Sequence, residues 1–512
     1  MIDLPEEIIC YILNYLEKTK DIINFSLTCK DNRKIVIKNK DFFNCISKID
    51  NKFINILDTL NIIGKIKVEI SKYDSVDIEK LKNIKNIKIS NYDKLNDISL
   101  LQNCEELILN NCNNLKDVSL LKNVKKLNLS WCKNITDVSS LVNVEELNLS
   151  HCYNINNVSS LKNVKKLNLS YCANITDVSS LVNVEELLLV SCRNIKNISY
   201  LRNLKKIDLT RCDILDVSIL KNVKKINLTN CNKIKDVSML GNCEELILNG
   251  CENIIDVSTL GNVKKLDLSY CTNIKDVSSL VNVEQLDLSG CEKIYISTLM
   301  KVKKLNLSDI KSITDVSMLG NCEELILNGC ENIIDVSALR NVKKLDLSNC
   351  YNVRDVSMLG NCEELKLWSC HSIVDFSMLT NVKKLDLLNC ENIKDVSMFG
   401  NCIELNLTGC IYIKDISNLA NVKKLNLSGC TYISDISIIM NCEELNLTGC
   451  HRLIKVDMLR NVKKLNLSYC NKITDVSMLI NLKELDLSYC NGINDISELK
   501  NVKIYGFEKK TF

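Results

Sequence analysis

From Cys112 to Cys490, cysteine returns every twenty residues, with two one-residue slips. The first run is Cys112, Cys132, Cys152, Cys172, Cys192 and Cys212, and the second is Cys231, Cys251, Cys271 and Cys291. After a second slip Ile310 stands on the mark, and cysteine then recurs from Cys330 to Cys490 without a break. So short and strict a period means one supersecondary unit copied along most of the chain, each copy packing only on its neighbours. Such a chain grows by adding units, so its 512 residues do not divide into conventional domains.

One unit runs from Leu121 to Ser140. Lys126 to Ser130 alternates polar and apolar residues, the period of a strand with Leu127 and Leu129 pointing inward. Cys132 and Ile135 follow at a turn, and Val138 and Leu141 complete the inward set. About ten residues remain for the return path, too few for a helix with two loops, so turns and short 3₁₀ segments are expected.

The spacing Leu-x-x-Leu-x-Leu-x-x-Cys-x-x-Ile closely resembles the leucine-rich repeat, and the cysteine followed by Ile135-Thr136-Asp137 resembles the subtype of F-box proteins. The Asp-Val-Ser-x-Leu half, Asp137 to Leu141, is similar to the short repeats of internalin-type proteins. The resemblance implies an α/β fold: a leucine-rich-repeat solenoid, or horseshoe, with a parallel concave sheet over residues 62–512 in about 22 units. Val502 to Phe507 reads as a last, aromatic-capped strand.

Identical positions in stacked units become columns. The column Lys126, Glu146, Lys166, Glu186, Lys206 alternates in sign, as does Lys125 with Glu145, and opposite neighbours support each other where like charges would repel. At the first slip Lys205, Lys206, Lys224 and Lys225 fall together as a local basic spot. The cysteine column has no clustered ligand pairs and never closes at four, unlike a zinc site; it reads as core packing by a small apolar residue. No metal and no cofactor is expected.

His151, His371 and His451 lie in separate repeats and no phosphate loop is present, so no catalytic residue is assigned. A net charge of +3 carries no nucleic-acid footprint, and no apolar run is long enough to span a membrane. The missing basic leader, the many thiols and the recurrent Asn-Leu-Ser sequons (Asn128, Asn168, Asn306, Asn426, Asn466) suit a cytoplasmic setting, the nucleus not excluded.

The first 45 residues differ in kind. Leu4-Pro5-Glu6-Glu7 opens a helix with proline in its first turn and acids at its positive end; Ile8, Ile9, Ile12, Leu13 and Leu16 form its apolar stripe. A second helix is expected around residues 21–29 and a third around 33–37. So short a piece leaves apolar surface for a partner. Leu4-Pro5-x-Glu7-Ile8, Ile12, Leu16, Asp21, Ser26, Thr28-Cys29-Lys30 and Arg33 resemble the F-box motif. That resemblance implies a small all-α domain over residues 1–45 docking a Skp-type adaptor of a cullin-based ubiquitin ligase through Leu4, Pro5, Ile8, Ile12 and Leu16. A helical cap on the first repeat is the competing reading, and residues 46–61 read as a helical joint.

On the concave face, the column of Ser130 is nearly all Ser, Thr or Asn, so its exceptions stand out. Trp368 and Leu388 occupy adjacent units beside Lys366 and are expected to form an exposed apolar patch. Trp131, His151 and Tyr171 form a second cluster one position on. The chain thus reads as a non-enzymatic receptor: the F-box docks the adaptor and the repeats hold an unknown target protein. The alternative is an interaction scaffold or sequestering module with no ligase role.

Overall fold

The structure is a computed structural model that describes residues 67–71 and 84–507, apart from Lys94, Asn96, Asp97, Met440 and Arg460; for 67–71 only the backbone is described. The helices expected before residue 62, with Leu4, Pro5, Ile8, Ile12 and Leu16, lie outside the described residues. So does the 46–61 joint.

The chain forms two compact units, Met1–Asn253 and Ile254–Phe512. Among the described residues the first holds ten strands, from Lys67–Ser71 to Glu245–Ile247, and the second thirteen, from Lys265–Asp267 to Lys503–Tyr505. Within each unit successive strands pair in parallel, each with the next: Lys126, Leu127 and Asn128 lie opposite Glu146, Leu147 and Asn148, and Lys384, Leu385 and Asp386 opposite Glu404, Leu405 and Asn406. This is a parallel-strand solenoid.

The repeat seals its core through a fixed set of side chains. Val124, Leu127, Leu129, Cys132, Ile135, Val138 and Leu141 are each at most 2% exposed. Burying each large aliphatic contributes roughly 1.5–3 kcal/mol, and every unit repeats the set. The return path holds the expected 3₁₀ turns, such as Ser119–Leu121 and Ser159–Leu161. An aspartate or asparagine two residues earlier caps the turns of the return path: the Ser139 N–H donates to Asp137 Oδ1 at 2.8 Å, and the Ser159 N–H to Asn157 Oδ1 at 2.9 Å. The Ser139 amide, helped by the Ser139 hydroxyl, holds the Asp137 carboxyl below the usual carboxylate range.

The two slips are absorbed outside the strands. After Cys212 the next core residue comes one position early, at Ile214, and Leu215 is left 69% exposed. After Cys291 the shortening falls between Ile294 and Ile296, which throws Tyr295 outward at 80% exposure. Strand register continues regardless, with Ile207 opposite Ile226 and Leu286 opposite Leu305. A one-residue change inside a strand would invert its faces; in a loop it costs little.

Candidate functional site

The cysteine column does more than fill volume. Each thiol reaches back to a strand carbonyl of the preceding repeat: Cys132 Sγ donates to Leu109 O at 2.9 Å, Cys152 to Leu129 O at 3.1 Å and Cys350 to Leu327 O at 3.2 Å. The Leu129 and Leu327 carbonyls also accept the backbone N–H of Cys132 and Cys330, at 3.2 and 3.0 Å, so the thiol of the next repeat adds a second bond to an acceptor already paired within its own repeat. Desolvation by burial pushes Cys132 up to about 12, so the thiols remain protonated donors. A parallel ladder follows two residues on, where Asn134 Nδ2 donates to Asn113 O at 2.6 Å and Asn154 Nδ2 to Lys133 O at 2.7 Å. The sequence reading missed both roles; an Asn two positions after ten of the nineteen column cysteines was the available signal. Among the described residues no group of three His, Cys, Asp or Glu side chains is arranged to hold a metal ion.

The strand face carries the charge ladder. Lys166 Nζ lies 3.7 Å from Glu146 and 3.6 Å from Glu186. In the second unit Lys384 lies between Glu364, at 3.2 Å, and Glu404, at 3.9 Å. These pairs are exposed, so each contributes at most about 1 kcal/mol. At the first slip Lys206 and Lys225 do stand opposite each other. Their neighbours moderate the basic spot: Lys205 pairs with Glu185 at 2.5 Å, Lys224 with Glu244 at 3.6 Å and Lys225 with Glu245 at 3.1 Å.

In the second unit the strand face forms a trough of about 690 Å³ lined by Lys366, Lys384, Asp386, Asn406, Asn426 and their neighbours. Lys366 projects into it, 3.6 Å from Asp346 Oδ2 and 5.7 Å from the centre of the Trp368 ring. The expectation of a freely exposed Trp368–Leu388 patch is corrected here: both side chains are half-buried. The Trp368 Nε1 is buried without a hydrogen-bond partner, as is the Oγ of Ser348, opposite it in the adjoining repeat and 0% exposed. The reason is general to the column, which lies low on the face: Ser130, Ser150 and Ser170 are only 5–9% exposed.

The first unit holds a better-formed aromatic cluster. Trp131 and His151 stack with ring centres 3.8 Å apart, and His151 and Tyr171 at 4.2 Å. The Tyr153 hydroxyl meets His151 Nδ1 at 2.9 Å, and desolvation pulls the His151 pKa down. All three stacked residues occupy the left-handed region, with φ of 66°, 61° and 64°, where glycine stands in other repeats, as at Gly250 and Gly290. Bulky residues there cost about 1–2 kcal/mol each, while a stacked pair returns about 0.5–1.5 kcal/mol. Trp131→Gly is therefore expected to change unfolding free energy by less than about 1 kcal/mol in denaturant titration. A loss above about 2 kcal/mol would make the stack a structural necessity rather than a surface feature.

Comparison with known proteins follows the same division. The F-box-like family model matches residues 1–44, a leucine-rich-repeat model matches 120–139, and a model of two leucine-rich-repeat copies matches 460–501. No curated protein matches the chain. Among solved structures, the functional domain of InlJ from Listeria monocytogenes, which includes a cysteine ladder, is 19% identical with a TM-score of 0.41, covering 60% of this chain and 74% of that one. An internalin (inlF) from Listeria monocytogenes is 22% identical with a TM-score of 0.31, covering 62% and 85%. F-box domains generally bind Skp-type adaptors and leucine-rich repeats bind proteins, an architecture typical of non-catalytic adaptors and receptors. Among the described residues no helix is long and apolar enough to cross a membrane. The chain thus joins an F-box-like segment at residues 1–44 to short leucine-rich repeats that carry a buried cysteine ladder.

Proposed function

We propose that the protein is a substrate receptor of a Skp/cullin/F-box ubiquitin ligase. The observation that carries this reading is the union of an F-box-like segment at residues 1–44 with a long repeat solenoid. In it, Leu4, Pro5, Ile8, Ile12 and Leu16 bury against the adaptor. The repeats hold a target protein through the Lys366, Trp368 and Leu388 site and the Trp131, His151 and Tyr171 stack. Chemistry occurs elsewhere in the ligase; this chain contributes proximity.

Both target sites carry features that a partner would complete. The Trp368 indole N–H and Ser348 hydroxyl are orphaned, each at a cost of about 1–3 kcal/mol, and a side-chain rearrangement on binding would satisfy them. The Trp131–Tyr171 stack presents rigid aromatic area at low entropic cost, the usual material of interface anchors.

Affinity purification from cells tests the two halves separately. Leu4→Ala/Pro5→Ala is expected to lose the Skp-type adaptor and keep the target. Trp368→Ala/Leu388→Ser is expected to keep the adaptor and lose the target. Adaptor absent from every sample would leave a sequestering scaffold as the function.

A further inference from the structure

A stripe on the return path of the second unit has no role in the fold or in the sites above. Six of the chain's ten methionines stand in one column there: Met318, Met358, Met378, Met398, Met458 and Met478. Met358, Met378 and Met478 are 43%, 58% and 44% exposed. The fold does not ask for methionine at this position. Other repeats place serine there, and the hydroxyl bonds the preceding turn: Ser160 Oγ donates to Val138 O at 3.2 Å and Ser279 Oγ to Val257 O at 3.3 Å.

Three residues before the methionine position runs a second column, aspartate in every repeat from Asp315 to Asp435 and again at Asp475, with Lys455 standing in it before Met458. Asp315, Asp335, Asp355, Asp375, Asp395, Asp415 and Asp435 occupy seven consecutive repeats, all exposed. Each carboxylate uses one oxygen to cap its turn, as Asp355 and Asp375 do for Ser357 and Ser377 at 2.8 Å. Asparagine makes the same cap at Asn157 and Asn197, so capping does not require the charge. Arg354, Lys394 and Lys414 each precede one of these acids, but Asp375 follows Val374, itself 76% exposed. Between two of the repeats a recess of about 330 Å³ is lined by Val356, Phe376 and Met378, by Asp355 and Asp375, and by Arg354.

We propose that this ledge, centred on Met358, Met378 and Met398 with Asp355, Asp375 and Asp395 alongside, docks an amphipathic segment of another protein that carries one apolar face edged by lysine or arginine. Charge complementarity selects that occupant: a row of carboxylates repels nucleic acid and anionic lipid and attracts basic side chains. Methionine's flexible, polarizable side chain adapts to varied apolar partners. The rungs from Ala338 to Met398 span about 14 Å at ~4.8 Å each, the length of two to three helical turns. The surface is separate from the strand face and goes beyond the receptor reading.

The chain supplies its own conservative variants, since serine and asparagine occupy these columns elsewhere. Fluorescence anisotropy would follow an 18-residue labelled peptide of leucine and lysine with leucines at helical spacing, against a leucine–glutamate peptide of identical pattern. The basic peptide is expected to bind the full chain. Met358→Ser/Met378→Ser/Met398→Ser should weaken it at least about tenfold. Asp355→Asn/Asp375→Asn/Asp395→Asn should weaken it several-fold at low salt and flatten its salt dependence. Trp368→Ala should leave it unchanged, which separates failure here from failure of the receptor reading. No binding of the basic peptide, equal binding of the acidic one, or indifference to the methionine variant would overturn the proposal.

Discussion

Raising the pH from 8 to about 10 will unfold the repeats, a transition that far-UV circular dichroism will register as a cooperative loss of signal. The cause is the cysteine ladder. None of the twenty-five described cysteines forms a disulfide, and all are buried. Desolvation lifts thiols such as Cys132, Cys172 and Cys231 from an ordinary 9.0 to about 12, and it pushes Cys152 and Cys350 higher still. A group whose pKa is raised on folding stabilises fully below its unfolded value and loses that contribution as pH climbs toward the folded one. The window therefore opens near pH 9 and extends to about 12. Each pH step within it removes about 1.4 kcal/mol per thiol. Half a step above 9, ten thiols together lose roughly 8 kcal/mol, comparable to the whole stability of a typical domain. Repeats that stay folded at pH 11 would contradict the burial of the ladder.

The second large effect is expected at the strand core. Leu347→Ala should lower stability by about 3 kcal/mol in urea titration, within the range of roughly 2–5 for a buried leucine that leaves a cavity. Leu347 is 0% exposed and its N–H donates to Lys366 O at 2.9 Å. Because each repeat touches only its neighbours, hydrogen exchange should speed up in the adjoining repeats and remain slow near Lys265–Asp267. Ser348→Ala, one residue on, should by contrast be neutral or stabilising, since it removes a buried hydroxyl that has no partner. A loss at Ser348 equal to that at Leu347 would mean the hydroxyl is bonded after all.

Much of this fold was legible in the sequence because a repeat prints its own register. The period placed Leu127 and Leu129 inside, set Cys132 at the turn and gave the alternating column of Lys166 and Glu146. Other features depend on atoms the period does not name. Nothing in a cysteine's recurrence says that its thiol points at a leucine carbonyl 23 residues earlier, since proline-free turns offer several acceptors. Trp368 broke the pattern of its column and was visible for that reason; how deep it sits depends on the height of the Ser130 position above the core, which alternation alone leaves open. The stack of Trp131, His151 and Tyr171 was legible as adjacency, while the left-handed backbone that aligns the rings was signalled only by the glycines sharing their column. The methionine ledge was the least visible, because methionine at an exposed turn looks like drift until its column is compared with the serines of other repeats.

The receptor reading rests on residues 1–44, and one titration tests it most directly. The purified full chain would be titrated with a purified Skp-type adaptor by isothermal calorimetry, with Leu4→Ala/Pro5→Ala as the control. A one-to-one complex with a dissociation constant of about 1 μM or tighter, weakened at least about a hundredfold in the control, is the expected result. An absence of binding by the unaltered chain, or equal binding by the control, would contradict it.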